Sequence, residues 1–90
     1  MIHEKTLSSI IDERALQDRV WGPMDEHSAF EWTRFIEREV VRAYHHADMM
    51  LAHNIDDARQ KILTRDFRAH LVRVAATAIA AIESFDRKMI

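Results

Sequence analysis

The sequence predicts an all-α fold, a helical bundle of three long helices and one short helix in a single domain over residues 1–90. Three observations predict it. Apolar residues recur at steps of three and four along most of the chain, no segment alternates apolar and polar residues as a half-buried strand does, and the one Gly and one Pro stand together at Gly22-Pro23. There is no internal repeat, low-complexity run or linker. A chain of 90 residues with 48% hydrophobic content can form one domain. So short a chain buries proportionally less surface than a larger one, so self-association is the expected supplement.

The first helix should run from about Glu4 to near Val20, because Pro disfavours helix in the residue before it and Gly readily leaves one. It is expected to turn Leu7, Ile10, Ile11 and Ala15 inward. Asp25 to Ser28 reads as a short loop. Ser28 and Glu31 have the spacing at which each side chain satisfies a free backbone N–H of a helix's first turn, so a second helix starts there. Trp32, Ile36, Val40, Ala43, Ala47, Met50 and Leu51 give it an apolar seam, and Asn54 is the expected stop. Asp56 or Asp57 caps a short third helix through Ala58, Ile62 and Leu63. The final helix, from about Arg65 to Lys88, carries Leu71, Val74, Ala75, Ala78, Ile82, Phe85 and Met89 as its seam. Val72, Ala76, Ile79 and Ala80 make much of its opposite side apolar too. A helix apolar nearly all round belongs in a core or an interface, and the alanines of residues 75–81 allow close backbone approach. The last helices are therefore the expected oligomer interface.

Composition excludes several classes. Without Cys there is no disulfide framework, Cys-type zinc site or thiol nucleophile, which suits a reducing compartment. Residues 1–9 lack an apolar signal core, and no later stretch reaches the roughly 18 uncharged apolar residues of a membrane span. The expectation is a cytoplasmic protein with no membrane partner, in the host cytoplasm if a phage encodes it. Residues 1–31 carry 3 basic and 7 acidic side chains, and residues 32–90 carry 10 and 8. That surplus is too small for a sequence-independent binder of long nucleic acid. Ser8, Ser9, Ser28 and Ser84 lack a nucleophile-elbow context, and there is no glycine-rich phosphate loop.

Two polar stripes are the main functional signal. Phe35, Glu39, Arg42, His46, Met49 and His53 share a helix face beside the second helix's seam, and Asp66, His70, Arg73 and Thr77 share one on the last helix. If they meet across a cleft, they offer guanidinium and imidazole groups with only Glu39 and Asp66 as carboxylates. That suits a phosphate better than a divalent cation.

The segments Glu13-Arg14, Gln17-Asp18, Trp21-Gly22-Pro23, His27, Glu31-Trp32 and the run from Leu71 through Val74-Ala75-Ala76 to Glu83 resemble small phage and bacterial members of the MazG-like, all-α nucleoside triphosphate pyrophosphohydrolase superfamily. The match spans about residues 10–87. The resemblance implies a helical bundle, dimeric or tetrameric, that binds a nucleotide with its phosphates over Mg²⁺ held by carboxylates. The family's Glu-Glu-x-x-Glu and Glu-x-x-Asp positions fall on Arg38, Glu39, Arg42, His70 and Arg73. Only Glu39 keeps the acid. A shift of one residue would bring in Glu37 but lose the register of the apolar seam.

Mg²⁺ needs hard oxygen ligands, and Arg, a permanent cation, repels it. Even one like charge at about 4 Å costs on the order of 4 kcal/mol at an effective dielectric near 20. The same arginines can grip phosphate oxygens through paired hydrogen bonds. Losing the metal removes charge neutralisation and activation of the attacking water. The expectation is binding of a small nucleotide or nucleotide-derived signal without turnover, with no catalytic residue and no resident metal.

Arg42, Arg73, His70, His46, Glu39 and Thr77 are the expected ligand-binding residues on the stripes, and Arg38 adds a cation nearer solvent. Trp21, beside Gly22-Pro23, is a ligand contact, whereas Trp32 begins the seam and reads as core. Arg14, Gln17 and Asp18 enter as ligand-binding residues through the resemblance, Gln17 and Asp18 as groups able to read a base edge. Tyr44 could stack on a base, and Phe35 reads as core. His46, His53 and His70 invite a zinc reading, but Arg42 lies one turn from His46. The bland alternative for the arginines is surface pairing with Glu39 or Asp66. The enzyme alternative keeps Glu39 with Glu37, Asp48 or Asp66 as substitute ligands for Mg²⁺, and a third reading is a helical interaction module without ligand.

Overall fold

The computed structural model describes residues 1–22, 27–52 and 54–89. They form three helices, α1 (Glu4–Trp21), α2 (Ala29–Met50) and α3 (Asp57–Lys88), and no strand occurs among the described residues. Each helix starts at a side chain that accepts from a free N–H of the first turn. At α1, His3 Nδ1 accepts from the Lys5 N–H at 3.3 Å. At α2, Ser28 Oγ accepts from the Glu31 N–H at 3.2 Å while the Glu31 carboxylate accepts from the Ser28 N–H at 3.0 Å, the reciprocal pair expected from their spacing. The Ser28 backbone N–H, and after it His27, holds the Glu31 carboxyl below its ordinary range. Asp56 caps α3, accepting from the Arg59 N–H at 2.8 Å. α1 closes at Gly22, whose φ of 69° suits a residue without Cβ and whose N–H donates to the Asp18 carbonyl at 3.0 Å. Pro23, Asp25 and Glu26 lie outside the described residues.

The expected short third helix is not a separate element. Residues 57–88 are one helix of 32 residues, because no Gly or Pro interrupts them. Thr64, which could have capped a new start, instead donates to the Gln60 carbonyl one turn back at 2.8 Å. At about 1.5 Å per residue α3 is about 48 Å long, close to the molecule's 52 Å long axis. The radius of gyration of 15.2 Å exceeds the value of about 12 Å typical of a compact domain of this size. α2 also ends sooner than expected, at Met50 instead of near Asn54.

α3 is the spine. α2 runs antiparallel to it, so that Lys88 at the end of α3 donates to the His27 carbonyl just before α2 at 3.2 Å. α1 runs in the same direction as α3, for Ser9 meets Arg68, Glu13 meets Arg73 and Gln17 meets Thr77. Among the described residues α1 and α2 each pack along α3 and do not approach each other.

The core is thin. Trp32, Ala43, Leu63, Ala76 and Ala80 are buried, together with polar Gln17, Thr77 and Ser84. Trp32 meets Phe35 and His27 edge-on, with ring centroids 5.9 and 5.5 Å away. On α2, Trp32, Ile36, Ala43, Ala47 and Met50 follow the expected seam, but Val40 and Leu51 are exposed. Glu39 takes the inward place between Ile36 and Ala43. On α1, Leu7, Ile11 and Ala15 are exposed, Ile10 is half-buried, and the buried residue is Gln17. On α3 the expected seam is not the buried face. Ala76, Thr77, Ala80 and Ser84 lie inside, while Leu71, Ile82, Phe85 and Met89 lie outside. Small side chains let helix backbones come close, so both neighbours sit on the small-residue face, leaving the larger residues uncovered. Among the described residues no helix is long and apolar enough to cross a membrane.

Candidate functional site

Because α1 and α2 stand apart over α3, a hollow opens between them. Its volume is about 260 Å³, and it is lined by Glu13, Leu16, Gln17, Val20 and Trp21 of α1, Glu39 and Arg42 of α2, and Arg73 and Thr77 of α3. A second hollow of about 470 Å³ shares Trp21, Glu39, Arg42 and Thr77 with the first and adds His27, Phe35 and Arg38. The Gln17 side-chain amide donates to Thr77 Oγ1 at 3.2 Å, fixing a wall position of the first hollow against one that both hollows share. Both side chains are buried, so this bond ties α1 to α3 where an unpaired polar group would be costly.

The charged groups form two acid–base pairs. Arg42 Nη1 donates to Glu39 Oε1 at 2.7 Å, and Glu39 Oε2 faces His70 Nδ1 at 3.3 Å. Arg73 Nε stands 4.0 Å from Glu13 Oε1, and its Nη1 is 3.4 Å from the same His70 nitrogen. One imidazole nitrogen cannot donate to Glu39 and accept from Arg73 at once, so His70 bonds one or the other. His46 stacks obliquely near His70, ring centroids 4.7 Å apart, and its Nδ1 lies 3.0 Å from the Arg42 carbonyl. A carbonyl only accepts, so that nitrogen carries the proton. The Arg42 and Arg73 side chains are 58% and 43% exposed, and each keeps N–H donors beyond those pairs.

The expected site residues separate into three groups. Gln17, Trp21, Glu39, Arg42, Arg73 and Thr77 line the first hollow, and Arg38 lines the second. His70 and His46 stand behind it, bonded to its walls. Arg14 and Asp18 line neither hollow: Arg14 is 16% exposed and bridges Asp18 at 3.0 Å and Glu83 at 3.2 Å, a clasp between α1 and α3. Asp66 pairs with Arg65 at 3.1 Å instead of facing the hollow. Met49 is exposed, Tyr44 is exposed, Trp32 is core, and His53 lies outside the described residues.

Sequence reasoning named Glu13 and His27 only within the resemblance and gave neither a place at the site. Glu13 was legible in principle, since it stands one turn before Gln17 on the face that also presents Leu16 and Val20. His27 lies between helices, where periodicity gives no signal. With Glu13 and Glu39 against Arg42 and Arg73, the first hollow holds two carboxylates and two guanidiniums. Among the described residues no group of three or more His, Asp or Glu side chains converges at metal-binding spacing. No family model, curated protein or solved structure matches the chain.

Proposed function

We propose that this chain is a catalytically degenerate, MazG-like protein that holds a phosphate-bearing nucleotide without hydrolysing it, and that a phage uses it in the host cytoplasm as a sponge for a nucleotide immune signal. One observation carries the reading. Arg42 and Arg73, on different helices, face one hollow and keep donors for an anion. The exposed Trp21 ring at the rim of both hollows is available to a base or sugar. Calorimetry with a panel of nucleotides, with and without EDTA, tests it. Binding that persists in EDTA, without release of pyrophosphate, supports the reading, and failure of every phosphate ligand to bind removes it.

The surviving-enzyme reading draws on one specific observation, that Glu13 and Glu39 face the same hollow. It requires Mg²⁺ there, although Glu37 and Asp48 are exposed elsewhere and Asp66 is paired with Arg65. Pyrophosphate release that depends on Mg²⁺ or Mn²⁺ and is abolished by Glu39→Ala would establish it.

Self-association, as a dimer or tetramer, belongs to the same proposal. Leu71, Ala75, Ala78, Ile82, Phe85 and Met89 recur at alternating steps of four and three on the side of α3 away from its core face, the spacing of a helix–helix seam. Ala80, an expected interface position, is instead buried within the chain, so a charge there would break the protomer. Ile82→Glu is the sharper probe, and light scattering should report a smaller species without loss of helix. A monomeric wild-type protein at micromolar concentration would contradict it.

A further inference from the structure

We infer that the hollow selects a singly charged phosphodiester over a terminal phosphate, with Glu13 and Glu39 as the residues that set this preference. The inference rests on the phosphate-binding reading above and names the ligand class that the site takes. Three features of the site point to it.

The first is charge. Arg42 and Arg73 are balanced by Glu13 and Glu39, whose side chains are only 17% and 15% exposed and so cannot swing away into water. One negative charge entering between the guanidiniums therefore meets a balanced field, whereas every further charge on the same phosphate faces the two carboxylates without a new cation to match it. A terminal phosphate carries about −1.5 to −2 near neutral pH, and a diester carries one charge.

The second is the lining. Beside the charged groups and the buried, mutually bonded Gln17 and Thr77, the first hollow presents Leu16, Val20 and Trp21, which suit the carbon of an ester substituent and offer few donors to a third phosphate oxygen. The third is position. Arg42 lines both hollows, so a phosphate held there can send one ester arm into each, and a diester is the phosphate with two arms.

The test compares the four 3′,5′-linked homodinucleoside monophosphates, each with one singly charged diester and a nucleoside on either arm, with the matching 5′-monophosphates and triphosphates by calorimetry in EDTA. For at least one base the dinucleoside monophosphate should bind about tenfold tighter than the monophosphate or triphosphate. The double substitution Glu13→Gln/Glu39→Gln should erase the difference by strengthening the more charged ligands, and the single Glu39→Gln should reduce it. Unchanged helical circular dichroism would verify that the variants fold. A wild-type preference for the triphosphate, or a ratio that the substitutions leave untouched, overturns the inference while the phosphate-binding reading stands. Absence of binding by every nucleotide overturns both.

Discussion

Arg14 and the pair Arg42 and Arg73 are the same residue type on neighbouring helices, yet they are placed for different tasks. Arg14 is largely buried, and its donors are spent on Gln17, Asp18 and Glu83 across the α1–α3 junction. Arg42 and Arg73 each have one carboxylate partner, remain about half exposed and look into a shared hollow. A cation whose donors are taken holds the fold together. One with donors to spare is available to a ligand.

The comparison breaks most visibly at the open arginines. Arg42→Ala with Arg73→Ala should weaken nucleotide binding at least about 100-fold, because hydrogen bonds to charged groups contribute about 1.5–3 kcal/mol each. Stability should fall by about 1–2 kcal/mol, since the guanidiniums are half exposed but the carboxylates they leave behind are mostly buried. Calorimetry and urea unfolding of one preparation read both quantities.

At the closed junction the effects should reverse. Gln17→Leu strands the buried Thr77 hydroxyl and should cost about 1–3 kcal/mol of stability, and adding Thr77→Val should recover part of the loss in a double-mutant cycle measured by urea unfolding. Arg14→Ala should cost about 1 kcal/mol, a figure kept low because Asp18 and Glu83 are well exposed. A nucleotide affinity that Arg14→Ala leaves unchanged would sharpen the distinction, and a large loss of affinity would erase it.

The smallest effect concerns the start of α2. The Glu31 carboxyl titrates below its ordinary value when folded, chiefly through the Ser28 N–H. Its contribution to stability is therefore present above the unfolded-state pKa and disappears as pH falls through the lowered folded value. Glu31→Gln should flatten that part of the acid-unfolding curve.

The all-helical character was legible because apolar spacing, the Ser28–Glu31 pair and the Gly22 stop each act locally. A cap at Asp56 or Asp57 was legible for the same reason, but spacing did not choose between them. The joining of the third and fourth expected helices was not, because an acidic or hydroxyl residue such as Thr64 or Asp66 can cap a start or sit mid-helix, and only the surrounding packing decides. Face assignment failed where large apolar residues outnumbered small ones. Leu71, Ile82 and Phe85 looked like core, but Ala76, Ala80 and Ser84 permit the closer approach and took the neighbours. Spacing alone put Arg42 on one stripe and Arg73 with Thr77 on another, whereas Glu13 reached their hollow only through the course of α1 along α3. That one residue changes the electrostatics from a cationic cleft to a balanced one.

Crystals of protein purified from cells test the central claim most directly, through the density between Arg42 and Arg73. The account predicts a retained nucleotide with phosphate oxygens in hydrogen-bonding range of both guanidiniums. A divalent cation held between Glu13 and Glu39, with the arginines turned away, would contradict it.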